Sequence, residues 1–139
     1  MSKKIKVAIA GVGNCSSALI QGVQYYIENP EDTIGLMFKE IGGYSAEDIE
    51  FVCGFDIDAR KVGKRLNKAI YAKPNCNMKV FDEGHDMSCI TSGAKVFRSP
   101  TLDGIAPHMR DYNENITFIE DTTTQPLTSK EYQQILKDF

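Results

Sequence analysis

The stretch Lys4–Asn14, KIKVAIAGVGN, passes from an almost continuously apolar run into a Gly-x-Gly turn. Such a run predicts a strand over Lys4–Ala10 that is covered on both faces, as in a parallel sheet. The residues after the turn predict an amphipathic helix that begins near Cys15 or Ser16 and ends before Pro30. A strand, a glycine turn and a helix in this order predict a dinucleotide-binding unit whose ligand lies at the turn.

The glycine turn supplies the first candidate binding residues. Gly11 allows the strand to turn sharply, and Gly13 lets the backbone approach a pyrophosphate without a side chain in the way. The helix N-terminus offers free N–H groups and a partial positive charge, to which Asn14 adds an amide and Ser16 a hydroxyl. The third glycine of the usual fingerprint is absent, since Ser16 or Ser17 stands near its place. A tight turn without a ligand therefore stays open as an alternative.

A second strand is predicted over Ile49–Phe55, and Asp56 follows it. An acid at this place normally accepts hydrogen bonds from the adenosine ribose and disfavours a 2′-phosphate, so Asp56 predicts NAD rather than NADP. Residues 30–48 lengthen the usual spacing between the glycines and this acid, which predicts an insertion at the edge of the domain. Asp58 is predicted to cap the helix that follows. Without the glycine turn, Asp56 would be interpreted as an ordinary solvated acid.

The rest of the chain carries weaker signals. They predict a helix over Ala59–Ala69, a polar loop over 75–94, a strand over Ala94–Phe97, a helical turn over Ile105–Met109, a strand over Ile116–Glu120 and a last helix opened by the capping box of Thr128 and Glu131. Ser99–Gly104 is expected to turn, either beside the ligand or at the surface. Together these elements predict one α/β domain over 1–139. It is an incomplete Rossmann-like fold with a parallel sheet and an insertion between the first helix and the second strand.

Composition and charge narrow the range of partners. The chain has 139 residues and a net charge of −3, and its Lys and Arg residues form no basic face that would suit nucleic acid. Neither a membrane-spanning run of about 20 apolar residues nor a signal-peptide pattern is present, which predicts a cytoplasmic protein without a membrane partner. Scattered cysteines predict neither a disulfide framework nor a metal site; they are Cys15, Cys53, Cys76 and Cys89.

Several segments together resemble the N-terminal part of the myo-inositol-1-phosphate synthases, most closely the bacterial and archaeal branch. They are VAIAGVGNCSSALIQGVQYY (7–26), FVCGFDIDARKVG (51–63), Ala69–Ala72 and PTLDGI (100–105), within a resemblance that covers most of residues 4–110. The resemblance implies an NAD-binding domain of an isomerase in inositol and phospholipid biosynthesis. That family converts glucose 6-phosphate to 1-L-myo-inositol 1-phosphate by oxidation, enolisation, aldol cyclisation and re-reduction, so NAD is recycled.

The resemblance also implies the residues of the site. It places the pyrophosphate among Gly11, Gly13, Asn14, Cys15 and Ser16, and the adenosine ribose at Asp56. The family's catalytic lysines, sugar-phosphate site and homo-tetramer interface belong to a second domain that 1–139 lacks. No catalytic residue is therefore assigned, and the chain alone is expected to be inactive. A free-standing nucleotide-binding module, one half of a split enzyme and a truncated remnant that binds nothing stay open as alternatives.

Overall fold

A computed structural model describes residues 4–139 and has a three-stranded parallel sheet at its centre. The strands are β1 (Ile5–Ala10), β2 (Ile49–Asp56) and β3 (Val96–Arg98), in the spatial order β1-β2-β3. The helices are α1 (Asn14–Glu28), α2 (Leu66–Ala69), α3 (Ser88–Thr91) and α4 (Ser129–Lys137), with 3-10 turns at Ala46–Asp48 and Pro107–Asp111. The parallel sheet and its β1-α1-β2 connection confirm the predicted α/β, partial Rossmann-like fold.

The register of the sheet brings the ends of all three strands to one edge. Ala10 pairs with Phe55, and Asp56 pairs with Arg98. Because the strands are parallel, the residues that follow each of them meet at this carboxyl edge. The glycine turn and the end of β2 are therefore neighbours, although more than forty residues separate them in the sequence.

One face of the sheet packs against α1, α2 and α3. The fully buried members of this core include Val12, Ile20, Phe51, Leu66, Ile70, Met87, Ile90 and Val96. Helical spacing predicts that Leu19 and Val23 share the apolar stripe of α1; Val23 is buried, but Leu19 is 51% exposed and Ile20 is completely buried in its place. Gln21 is also buried, and its Oε1 accepts the backbone N–H of Val80 at 2.8 Å. A hydrogen-bonded polar side chain can occupy the core, and hydrophobic periodicity alone does not reveal it.

Helix α4 covers the opposite face of β2. Tyr132 and Ile135 pack against the cluster of Val52, Cys53 and Phe55, and the Tyr132 ring stacks on Phe55 at a centroid distance of 4.2 Å. The predicted capping box is confirmed, since the hydroxyl of Thr128 accepts the N–H of Glu131, whose carboxylate accepts the N–H of Thr128. This helix therefore holds the C-terminal part of the chain on the sheet.

Three predicted elements differ from the structure. The helix predicted over Ala59–Ala69 is confined to Leu66–Ala69, because the preceding segment forms turns and contains Gly63 in a left-handed conformation (φ +79°). The strand predicted over Ile116–Glu120 is reduced to an isolated bridge at Glu120. The polar loop predicted over 75–94 contains the short helix α3.

Strand β1 is less covered than predicted. Of its six residues only Ile9 is buried, because β1 lies at the edge of the sheet that residues 4–139 form. The predicted insertion after α1 is present as loops, with a bridge between Ile41 and Tyr44 and the 3-10 turn at Ala46–Asp48. The Tyr26 hydroxyl donates to the Ile34 carbonyl in this insertion. No helix among residues 4–139 is both long and apolar enough to cross a membrane.

Candidate functional site

The glycine turn leaves β1 with the geometry that its sequence predicts. Gly11 has a left-handed backbone (φ +86°), and its N–H donates to the Phe55 carbonyl at 2.8 Å. A Cβ atom at Gly13 would meet no atom within 4 Å, so the surface in front of this residue is open. The Ser16 hydroxyl donates back to the Gly11 carbonyl. The turn is therefore held in shape while its outer side stays free for a ligand.

The N-terminus of α1 faces the same open surface. Gly13 is its N-cap residue, and the Ser17 N–H makes the first helical hydrogen bond, to the Gly13 carbonyl at 3.0 Å. The first turn contains no acidic residue, and Cys15 is exposed in it. Helix N-termini carry unpaired N–H groups and a partial positive charge, which favour a bound anion. This end of α1 is thus chemically suited to a pyrophosphate.

Asp56 is buried, with 6% of its surface exposed, and its carboxylate holds backbone groups. Its Oδ2 accepts the N–H of Val12 at 2.7 Å. Its Oδ1 accepts the N–H groups of Ile57 and Asp58 at 2.7 and 2.8 Å. The acid that the sequence assigns to a ribose therefore fastens the glycine turn to the end of β2.

Two further polar residues, which the sequence patterns did not identify, lie behind the turn. Asn75 Nδ2 donates to the carbonyls of Val12 and Ile70 at 3.1 and 2.9 Å. The Lys61 side chain is 1% exposed, and its Nζ donates to Asn75 Oδ1 at 2.8 Å. Burial lowers the pKa of Lys61, and the charge of Asp56 works against that shift. A lysine in a polar run and an asparagine after a proline are typical of surface loops, so no sequence signal marked them.

The side chain of Asn14 holds a neighbouring loop. Its Oδ1 accepts the N–H groups of Cys76 and Asn77 at 2.7 and 3.2 Å. In this structure the side chain ties a neighbouring loop to the start of α1 and does not point freely into the open surface. Residues 75–77 therefore form part of the wall of the candidate site.

Asp58 is not the helix cap that the sequence predicts. It is fully buried, and its carboxylate accepts hydrogen bonds from the Arg60 guanidinium and from the N–H of Ile119 at 3.1 Å. Burial raises the pKa of Asp58, but the hydrogen bonds from Arg60 and Ile119 outweigh it, so that its pKa lies below the usual value. The pair fixes the segment after β2 against the chain near Ile119.

Arg98 organises the third loop at the carboxyl edge. Its guanidinium is buried and donates to the Asp121 carbonyl and the Thr101 hydroxyl, both at 2.8 Å, and lies 3.4 Å from Glu120 Oε1. The predicted turn forms, since the Gly104 N–H donates to the Thr101 carbonyl at 2.7 Å. The loop that begins at Ser99 thus lies beside the end of β2, where the Ser99 N–H donates to the Asp56 carbonyl at 3.0 Å.

Two cavities flank opposite ends of the sheet. The larger, about 730 Å³, is lined mainly by apolar side chains of α1, of the insertion after it and of the starts of β1 and β2, among them Leu19, Phe38 and Ile49. A polar cleft of about 670 Å³ is lined by Arg60, Lys73 and Tyr112. Arg60 lies four residues after the end of β2, so this cleft lies beside the carboxyl edge of the sheet, where a Rossmann-like fold receives an adenosine.

Two cysteines lie beside the glycine turn: Cys15 is in the first turn of α1, and the Cys76 N–H donates to Asn14 Oδ1. The two histidines make their contacts elsewhere. His85 Nε2 lies 2.6 Å from Glu28 Oε1, and its ring stacks on Phe81. His108 is exposed. Among residues 4–139 no group of three or more His, Cys, Asp or Glu side chains could hold a metal ion, and all four cysteines are free thiols.

Comparisons with known proteins agree with the geometry. The chain is 45% identical over 125 residues to an inositol-3-phosphate synthase of Corynebacterium glutamicum, covering 88% of this chain and 31% of that protein. It is 46% identical over 110 residues to an inositol-3-phosphate synthase of Mycolicibacterium smegmatis, covering 78% of this chain and 29% of that protein. No protein-family model matches the chain.

One solved structure shares the fold over most of this chain. The crystal structure of Ari2 superposes with a TM-score of 0.62 at 31% identity, over 78% of this chain and 33% of Ari2. The chain spans about three tenths of the length of its curated relatives, consistent with an N-terminal portion of them. Over the residues that align, the chain belongs to the inositol-3-phosphate synthase family.

Proposed function

We propose that this chain is the NAD-binding part of an inositol-3-phosphate synthase. The single observation that carries the proposal is the turn at Gly11 and Gly13, which opens onto the N-terminus of α1 with free space in front of it. A bare Gly-x-Gly turn is a weak signal, but identity of 45% to a named synthase makes a dinucleotide the expected ligand. The residues present therefore fit the cofactor that the family implies.

The pyrophosphate is proposed to lie against Gly13 and the first turn of α1. There the backbone N–H groups of Asn14, Cys15 and Ser16 can donate to its oxygens, and the helix dipole favours its charge. Gly13 matters because any side chain at this position would occupy the space that a phosphate needs.

Asp56 remains our proposed contact for the adenosine ribose. Its Oδ2 makes one hydrogen bond shorter than 3 Å, to Val12, and a carboxylate oxygen can accept two. Asp56 is 6% exposed, and we propose that a ribose hydroxyl donates to this small exposed part of the carboxylate, beside the Val12 bond that holds the turn. A 2′-phosphate would bring negative charge against this carboxylate, so we propose NAD over NADP.

The activity of the whole family is proposed only for a protein that also contains the remaining two thirds of its relatives. When bound, NAD would accept a hydride from the sugar phosphate and later return it. Within this chain the proposed task is to bind and orient that cofactor. We also propose that such a longer protein lies in the cytoplasm and assembles as a tetramer.

Isothermal titration calorimetry with NAD, NADP and AMP tests the proposal. We expect one NAD per chain, weaker binding of NADP, and measurable binding of AMP because its adenosine side is recognised. A folded chain that binds none of the three would be the truncated remnant. Incubation with NAD and glucose 6-phosphate should give no inositol phosphate, and clear turnover would overturn the assignment of this chain as a cofactor-binding part.

A further inference from the structure

The peptide group at Val12, between the two glycines, is held by side chains from two distant segments. Its N–H donates to Asp56 Oδ2 at 2.7 Å, and its carbonyl accepts from Asn75 Nδ2 at 3.1 Å. Val12 itself is fully buried, so water does not supply these partners. The orientation of the glycine turn is therefore set by Asp56 and Asn75 together.

Lys61 joins those two side chains. Its Nζ donates to Asn75 Oδ1 at 2.8 Å and lies 4.0 Å from Asp56 Oδ2. The Nδ2 atom of Asn75 donates to the Val12 carbonyl. The contacts therefore form a closed ring of four residues: Val12, Asp56, Lys61 and Asn75. Each member fixes the next, because the lysine determines which end of the Asn75 amide faces the turn.

The burial of Lys61 indicates that this residue does more than fill space in the core. Its side chain is 1% exposed, and removing an ammonium group from water is costly unless the group is paired. An apolar side chain of similar length would fill the same volume without that cost. What Lys61 adds is a donor to Asn75 and a positive charge beside Asp56.

We propose that Lys61 is a positioning residue for dinucleotide binding, which acts through Asn75 and Asp56 on the Val12 peptide. The inference rests on the proposed function for its ligand. Lys61 does not touch the cofactor; it keeps the turn at Gly13 and the start of α1 in the orientation that receives a pyrophosphate. Preorganised backbone donors bind an anion better than donors that must first be ordered.

Lys61→Met tests this ring, because it keeps the aliphatic stem and removes the ammonium. In the ligand-free chain we expect the Val12 amide to exchange with deuterium at least tenfold faster, measured by NMR. By calorimetry we expect NAD affinity to fall at least tenfold. The matched control is Lys130→Met, on the exposed side of α4, which should change neither quantity by more than twofold.

A double-variant cycle separates positioning from general support. Asn75→Leu should also speed Val12 exchange, and Lys61→Met added to it should change the rate less than twofold, because both act through one ring. Independent, additive effects would overturn the proposal. So would a folded Lys61→Met chain in which Val12 exchange and NAD affinity are both unchanged.

If the Lys61 and Asn75 variants do not fold, an NMR titration of the wild-type chain tests the proposal instead. Saturating NAD should shift the NMR signals of the Val12 N–H and the Asn75 side-chain amide in the wild-type chain, and leave that of the N–H of Met37, which is exposed in the insertion, unchanged. Bound NAD without a shift at Val12 and Asn75 would overturn the positioning role. If the wild-type chain binds no NAD, the proposed function fails, whereas the Val12 exchange rates still show whether the ring exists.

Discussion

Asp56 and Val12 are joined by a hydrogen bond of 2.7 Å between a buried carboxylate and the N–H at the centre of the glycine turn. The end of β2 therefore determines the shape of the turn that follows β1. An acid at this position has two tasks in our account: it holds the turn, and it faces the proposed ribose. The first task is visible in the structure, and the second depends on the proposed cofactor.

Asp56→Asn should weaken both the fold and the proposed binding. One amide oxygen can still accept the N–H groups of Ile57 and Asp58, but the amide nitrogen then meets the Val12 N–H, and two donors face each other. We expect a loss of about 2 kcal/mol in the free energy of unfolding, measured by urea denaturation. Asp111→Asn, at an exposed position, is the control. Equal stability of the two variants would contradict the role of this bond.

Gly13→Ala should separate binding from stability. The backbone at Gly13 is ordinary (φ −92°), and a Cβ there meets nothing within 4 Å, so the urea midpoint should stay within experimental error. The added methyl group occupies the space proposed for a phosphate, so NAD affinity should fall at least tenfold. Gly84→Ala, also in open space and exposed, should change neither property. Unchanged NAD affinity in Gly13→Ala would place the pyrophosphate elsewhere.

Tyr132→Ala should loosen α4 from the sheet. The ring stacks on Phe55 at 4.2 Å and covers the second apolar cluster, so its removal should cost about 2 kcal/mol in the free energy of unfolding. The exposed Tyr112 supplies the matched control, because Tyr112→Ala removes the same ring from a solvated site. Thermal and urea unfolding of the two variants give the comparison. If both lose the same stability, the contact with Phe55 is not what holds α4.

The free energy of unfolding should fall in acid, where Asp121 becomes protonated. Hydrogen bonds from the Thr124 and Thr123 side chains and backbone N–H groups hold the pKa of Asp121 well below its usual value, although burial works against them. A lowered pKa in the folded state adds stability above the unfolded value of about 3.9. That stability is lost as the pH falls through the folded pKa.

The test compares urea unfolding of the wild type and Asp121→Asn from pH 6 down to pH 2. We expect the wild type to be about 1 kcal/mol more stable at pH 6, with the difference shrinking below about pH 4. Asp111→Asn serves as the exposed control. A difference that stays constant or grows towards low pH would contradict the lowered pKa of Asp121.

The sequence predicts the parts of the fold that depend on local patterns. The apolar run before Gly11, the acid after β2 and the capping box of Thr128 each have a physical signature, and each lies where the structure has the corresponding element. The helix predicted over Ala59–Ala69 does not begin at Ala59, because Asp58 pairs with Arg60 and Gly63 turns the chain. Neither effect follows from hydrophobic spacing.

The ring behind the turn depends on distant residues, so the sequence could not reveal it. Asn75 lies 63 residues from Val12, and Lys61 meets Asn75 only through the fold. A buried lysine looks the same in a sequence as a solvated one. The predicted site was thus limited to residues that touch the turn directly, and the side chains that orient it were missed.

Calorimetric titration of the folded wild-type chain with NAD tests the central claim most directly. Our account predicts saturable binding of one NAD per chain, and replacement of Gly13 by Val should abolish it while circular dichroism shows the fold intact. A folded wild-type chain that takes up no NAD, or a Gly13→Val variant that binds it as tightly as the wild type, would contradict the assignment of this turn as a dinucleotide site.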